Sequence, residues 1–199
     1  MKEKKPISLL LLIFAMTLFG SYYVYHYCVD KINKELVNTS LEEISNEEIS
    51  INSSIKPISV KETYLGILEI PKIKLTKGFY NVDSVNNDVN KNVQLLKESV
   101  MPDNDNSMVF LAAHSGNSYL GYFKNIDKLV MDDEIFLYYK NKKYTYSIMQ
   151  IMEQEKNGTI MVKKNAHEKI LVLTTCSKKS EKQLVIKARL IKEIVNHKS

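Results

Sequence analysis

The first pattern in the chain is an unbroken apolar one: Ile7 to Tyr25, ISLLLLIFAMTLFGSYYVY, runs 19 residues without a charge. That length crosses a bilayer as a helix. Lys2, Lys4 and Lys5 precede it, and by the positive-inside rule they hold residues 1–6 in the cytoplasm and send everything downstream outside. Tyr22, Tyr23, Tyr25 and Tyr27 fit an aromatic belt at the outer interface, so the expected single-pass anchor covers residues 7–27. A cleaved signal peptide is the main competing reading, but its apolar region would be shorter, and no small-x-small cleavage site follows this one. A buried helix of a soluble protein is a third, against which stand the lysine flank and the lack of a polar face.

Over residues 28–62 the apolar positions scatter among Asn, Ser and Glu. Between Val29 and Glu62 seven acids face four lysines, a net of three negative charges. Such a segment forms at most a frayed helix near Ile32 to Ile44 and buries too little to fold alone. It is expected to be a stalk.

From residue 63 the pattern takes strand lengths. Tyr64 to Ile70 ends at Pro71, which suits a strand end, a bulge or an edge. Met108 to Ala113 is a continuous apolar run, and Glu134 to Tyr139, a KNKK turn and Tyr144 to Met152 read as a hairpin. Ile170 to Thr175 and Leu184 to Ile191 add two strands rich in β-branched residues. Helical periodicity is scarce, with Val89 to Val100 and Tyr119 to Leu129 as candidates for short helices. The expectation for residues 63–199 is an all-β domain, a closed barrel or a sandwich, with one or two short helices.

Composition narrows this further. The 199 residues, 44% hydrophobic and 26% charged, hold one ordinary domain, and six glycines and four prolines exclude collagen-like or low-complexity chains. Two cysteines exclude a disulfide scaffold. The formal charge is +5, yet Arg189 is the only arginine among 28 basic residues, which speaks against nucleic-acid recognition.

The cysteines carry more. Cys28 lies at the outer end of the anchor, leaving Cys176 as the only cysteine of the exported domain. An unpaired thiol outside the cell is prone to oxidation, so its presence calls for a reason. It ends an apolar strand, LVLTTCS, ahead of Ser177, Lys178 and Lys179. A buried structural cysteine is the competing reading. A cysteine nucleophile needs a base to supply the thiolate, most commonly histidine. His197 is in the terminal NHKS and His167 in the polar run KKNAHEK, whereas His114 ends the apolar strand MVFLAAH and precedes Ser115-Gly116-Asn117. His114 and Cys176, both at strand ends, suggest a pair.

At these residues the chain resembles a known family. The strand ending LTTC at Cys176, the earlier strand ending LAAHSG around His114, and the opening GILEIPKIKL from Gly66 to Leu75 are together similar to the sortases, the membrane-anchored cysteine transpeptidases of Gram-positive bacteria. GYFKNIDKL followed by DDEIFLYY, from Gly121 to Tyr139, resembles the segment after the family's histidine strand. The resemblance covers about Tyr64 to Val195, with the motifs in family order. It implies a sortase-like closed β-barrel with catalytic Cys176 and His114 at one end. It implies attack by the Cys176 thiolate on a sorting motif of the Leu-Pro-x-Thr-Gly kind in a secreted protein, a thioester, and transfer to an amine of a peptidoglycan precursor or a pilin lysine. No metal or organic cofactor is implied. A regulatory calcium site, known in some sortases, would need clustered acids, and Asp103, Asp105, Asp132, Asp133 and Glu134 are no better than a solvated loop. With no second apolar span after Ile191, anchoring of surface proteins is expected over pilus assembly.

The chain departs from the family twice. Val172 replaces the first threonine of the usual Thr-Leu-x-Thr-Cys. More seriously, the family's arginine, five residues before Ala188, is Gln183. Arg189 lies six residues further along the strand, about 20 Å away at ~3.3 Å per residue. Gln183 is the expected oxyanion donor, through an uncharged amide. Lys182 is the alternative, provided a bulge turns it to the same face. The gap also motivates a different function, a catalytically weak or inactive sortase-like domain that binds wall proteins. An L,D-transpeptidase would want a Ser-x-Gly-Cys type of motif with its histidine much closer, and papain-like hydrolases put the cysteine first.

Overall fold

Eight strands pair into one sheet in the computed structural model, which describes residues 5–46, 62–116 and 120–195. They are β1 (Gly66–Ile70), β2 (Leu75–Phe79), β3 (Gln94–Leu95), β4 (Met108–Ala112), β5 (Glu134–Tyr139), β6 (Lys142–Gln154), β7 (Ile170–Cys176) and β8 (Gln183–Val195). The order is β2-β1-β5-β6-β8-β7-β4-β3, and a bridge from Phe79 to Val93 joins the two outer strands, so the sheet nearly closes into a barrel. All neighbouring strands run antiparallel except β4 and β7, which are parallel. The all-β expectation agrees with this architecture.

Alternation of side chains explains the layering. Val109 and Leu111 on β4, Leu171 and Leu173 on β7 and Ile186 on β8 point into the barrel core with Phe79, Phe123 and Leu137. The intervening Ile170, Val172 and Val185 form a second apolar layer on the outer face, with Met108 and Phe110. Both faces of β7 are therefore covered, which is why its sequence is a continuous apolar run rather than an alternating one. The β5–β6 hairpin turns at Lys140 and Asn141, both with positive φ, 43° and 53°, the two-residue turn whose twist matches its strands.

Two local expectations are corrected. Residues 89–100 are not a helix; they are turns around β3. The side chain of Asn87 takes the place of a strand partner there, its Oδ1 accepting from Leu95 N–H at 2.7 Å and its Nδ2 donating to Leu95 O at 2.9 Å. That local bonding outcompetes a helix, and the alternate Val93 and Leu95 enter the core. In the second candidate segment only a short 3₁₀ turn, Ile126–Lys128, forms, and its starting Tyr119 lies outside the described residues.

The chain divides into two compact units, residues 1–35 and 36–199. The helix α1 (Lys5–Asn46) begins in the first. Within it Leu11–Glu42 is long and apolar enough to cross a membrane, with Phe14, Phe19 and Tyr23 exposed. Helix thus continues well past the expected anchor boundary at 27. In the second unit the end of α1 packs onto the barrel: Leu36, Val37 and Leu41 meet Tyr64, Ile67 and Tyr80, and Ser40 Oγ accepts from Tyr64 N–H at 3.3 Å. This segment folds against a partner, which its polar composition alone does not reveal. The rest of the expected stalk, 47–61, lies outside the described residues, as do Lys2, Lys4, Asn117 and His197.

Candidate active site

The parallel pair β4–β7 builds the site. Its register runs from Met108 opposite Ile170 to Ala112 opposite Thr174, so His114 and Cys176 each lie two residues beyond the last pair. One backbone bond and two side-chain bonds continue the alignment where the ladder stops. Ala113 N–H donates to Thr174 O at 3.3 Å, Thr175 Oγ1 to Ala113 O at 2.6 Å and Ser115 Oγ to Cys176 O at 2.7 Å. Adjacent strands are about 4.8 Å apart, so this cross-bonding holds the backbones of His114 and Cys176 side by side. The two-residue period puts Cys176 on the outer face with Val172, and His114, following core Ala113, on the same side. Both are partly exposed.

Two residues that the sequence did not single out orient the histidine. Asn90 Oδ1 is 3.2 Å from His114 Nε2. Asp88 Oδ1 accepts from the backbone N–H of Asn90 at 2.8 Å and from its Nδ2 at 3.1 Å, which turns the amide oxygen toward the ring. An amide oxygen can only accept, so this contact is a hydrogen bond in the form of the ring that carries a hydrogen on Nε2. The signal was present in Asp88 and Asn90, spaced as in an Asx-turn, but a helical reading of the segment concealed it. The carbonyl of His114 is held by Phe123 N–H at 3.0 Å.

Gln183 pairs with Cys176 across the β7–β8 ladder and shares its face. Its Nε2 donates to two carbonyls of the β6–β7 loop, Thr159 O at 2.7 Å and Glu155 O at 3.2 Å. No register shift lies beside it, the irregularities of β6–β8 being at Thr145/Tyr146 and Ile148/Gln150. Lys182 accordingly turns away and pairs with Glu155 at 3.1 Å. Arg189 stands opposite Ile170, at the far end of β7 from Cys176. His167 is an exposed loop residue with φ 65°.

The β7–β8 turn is fastened from below by Glu153, whose carboxylate accepts from Ser177 Oγ and, at 3.1 Å, from Ser180 Oγ. The Ser177 bond first of all holds the Glu153 carboxyl below its usual range. Beside the turn a cleft of about 300 Å³ opens at the barrel mouth over Ile126, Leu129, Ile151 and Leu184. Asp103 is paired with Lys140 at 2.9 Å and Asp133 with Lys72 at 2.8 Å. Among the described residues no three His, Cys, Asp or Glu side chains converge as metal ligands would.

Comparison with known proteins agrees with this geometry. A family model described as the sortase domain matches residues 68–191. Sortase D of Bacillus subtilis (strain 168) is 27% identical over 132 residues, 66% of this chain, and the chain spans 63% of that relative's length. Sortase C of Streptococcus pneumoniae superposes with a TM-score of 0.62 at 21% identity, covering 84% of this chain and all of its own. The Clostridium perfringens sortase D5 transpeptidase gives 0.57 at 23%, over 81% of this chain and 95% of its own. Sortase E1 from Streptomyces coelicolor, solved with a tripeptide in its active site, gives 0.57 at 20%, over 66% and 90%. These structures share the fold, and the family match runs from β1 into β8 through both strands that carry His114 and Cys176. The chain belongs to the sortase family.

Proposed function

We propose that the chain is a membrane-anchored cysteine transpeptidase. The Cys176 thiolate attacks a backbone carbonyl within a Leu-Pro-x-Thr-Gly-like sorting motif of a secreted protein. The C–N bond breaks, His114 gives its proton to the departing amine, and the acyl group remains on sulfur as a thioester. An amine of the peptidoglycan precursor then attacks, His114 takes a proton from it, and the thiolate is restored. The N-terminal helix anchors the enzyme, with the barrel on the outer side of the membrane.

The observation that carries this reading is the cross-bonded parallel pair β4–β7, which ends in a histidine and a cysteine on one face. Asn90 adds support, since its amide oxygen holds the His114 ring at Nε2. A peptide occupies the active site of the Streptomyces coelicolor relative, the class of ligand proposed here. The test is incubation of the full chain in detergent with a panel of sorting-signal peptides and candidate amines, with product masses measured. Cleavage of one peptide class with amine-dependent product is expected. Binding of peptides without turnover, with Cys176 no more reactive toward a thiol reagent than in His114→Ala, would instead favour the non-catalytic domain.

A further inference from the structure

We infer that Gln183 is a positioning residue that clamps the β6–β7 loop beside Cys176 and thereby sets how the substrate segment is held, in place of donating to the oxyanion. The loop, residues 155–169, contains no helix or strand, so its backbone polar groups need other partners. Backbone bonds supply some, from Asn157 N–H to Glu155 O and from Leu190 N–H to Lys169 O, and side chains supply others. Gln183 Nε2 donates to Glu155 O and Thr159 O, and Lys187 Nζ donates to Lys163 O at 2.6 Å. Gln154 meets the middle of the segment, donating to Met161 O at 2.6 Å and accepting from Met161 N–H at 2.9 Å.

The spacing makes this one device. Gln183 and Lys187 are four residues apart on β8 and share its outer face, and their acceptors Thr159 and Lys163 are four apart in the same direction. The carbonyls of 159, 161 and 163 alternate with Ile160 and Val162, whose side chains pack on the outer layer of Ile170, Val172 and Val185. The segment from 159 to 163 therefore runs alongside β8, held by side chains in place of a backbone ladder. Gln183 is the clamp at the end nearest the thiol, because it faces Cys176 in the β7–β8 ladder. A primary amide has two hydrogens, and both are on loop carbonyls. Serving an oxyanion would withdraw one and release the loop.

The significance for substrate rests on the proposed transpeptidase reading; the clamp itself does not. The test compares the full chain in detergent with Gln183→Glu, which keeps the shape but cannot donate, and with Lys187→Met, which releases the other end. Trypsin nicking at Lys156, Lys163 and Lys164 is followed first. Both variants are expected to be cut about tenfold faster than the parent, the scale of losing roughly one to two hydrogen bonds from a locally opening segment. With a cleaved sorting peptide in hand, Gln183→Glu should raise KM about tenfold and change kcat less than about threefold. Unchanged nicking in Gln183→Glu overturns the clamp whatever the activity. A kcat loss of ~10²–10³ at unchanged KM returns Gln183 to the oxyanion role. If the parent cleaves no peptide, the transpeptidase reading fails while the nicking rates still decide the clamp.

Discussion

His114 is oriented by an amide that is itself oriented by a carboxylate, and this chain of three makes a prediction at the scale of single residues. Asn90→Ala removes the acceptor from Nε2 and lets the ring rotate or change tautomer. A fall in kcat/KM of about tenfold is expected, the equivalent of one hydrogen bond. Asn90→Asp keeps an acceptor and should retain most of the activity. Equal turnover by Asn90→Ala and the parent would show that the ring is held by other means. The contrast between Asn90 and Gln183 also shows what a sequence discloses about a site. Cys176 and His114 were legible because each ends an apolar strand and carries reactive chemistry. Gln183 was legible as a position, by counting back from Ala188, but its bonds reach loop residues 24 and 28 positions upstream, and no local pattern encodes such a pairing.

Among the elements, the parallel pair β4–β7 decides whether the site exists. Its end is secured by the buried bond from Thr175 Oγ1 to Ala113 O. Thr175→Val conserves shape and removes the donor, so a loss of about 1–3 kcal/mol in urea unfolding is expected, with a larger proportional loss of activity. An unchanged unfolding midpoint would contradict this part of the account. β7, buried on both faces, was read nearly to the residue because it is a continuous apolar run, and β5, which buries alternate side chains, because every residue after Glu134 is apolar or aromatic. The short β2 and β3 escaped: Thr76 and Lys77 interrupt the one, and a single asparagine side chain, Asn87, pairs the other. The same asparagine chemistry undid the helix expected over 89–100, because amide side chains that bond their own neighbourhood are invisible to hydrophobic periodicity.

On the scale of the whole molecule, charge ties distant parts of the chain together. Glu193 on β8 accepts from Lys142 at 2.7 Å and lies 3.4 Å from Lys169, and the Lys142 bond above all lowers its pKa. A carboxyl lowered by folding stabilises the fold above its unfolded pKa of about 4.3 and loses that contribution as pH falls through the lower folded value. Thermal melts should therefore place the parent above Glu193→Gln at pH 7 and converge with it in acid; a gap that persists below both pKa values would refute the ion-pair explanation. The apolar helix predicts a second global property, retention of the full chain in the membrane fraction through a high-salt wash, and release by salt would reject the anchor. The proposed chemistry turns on a covalent bond to one sulfur atom. Mass spectrometry of the full chain mixed with a cleavable sorting-signal peptide, without added amine, should find the acyl half of the peptide on Cys176 and none on Cys28, with no adduct or turnover in Cys176→Ala. Parental turnover by Cys176→Ala, or an acyl group on any other residue, would contradict it.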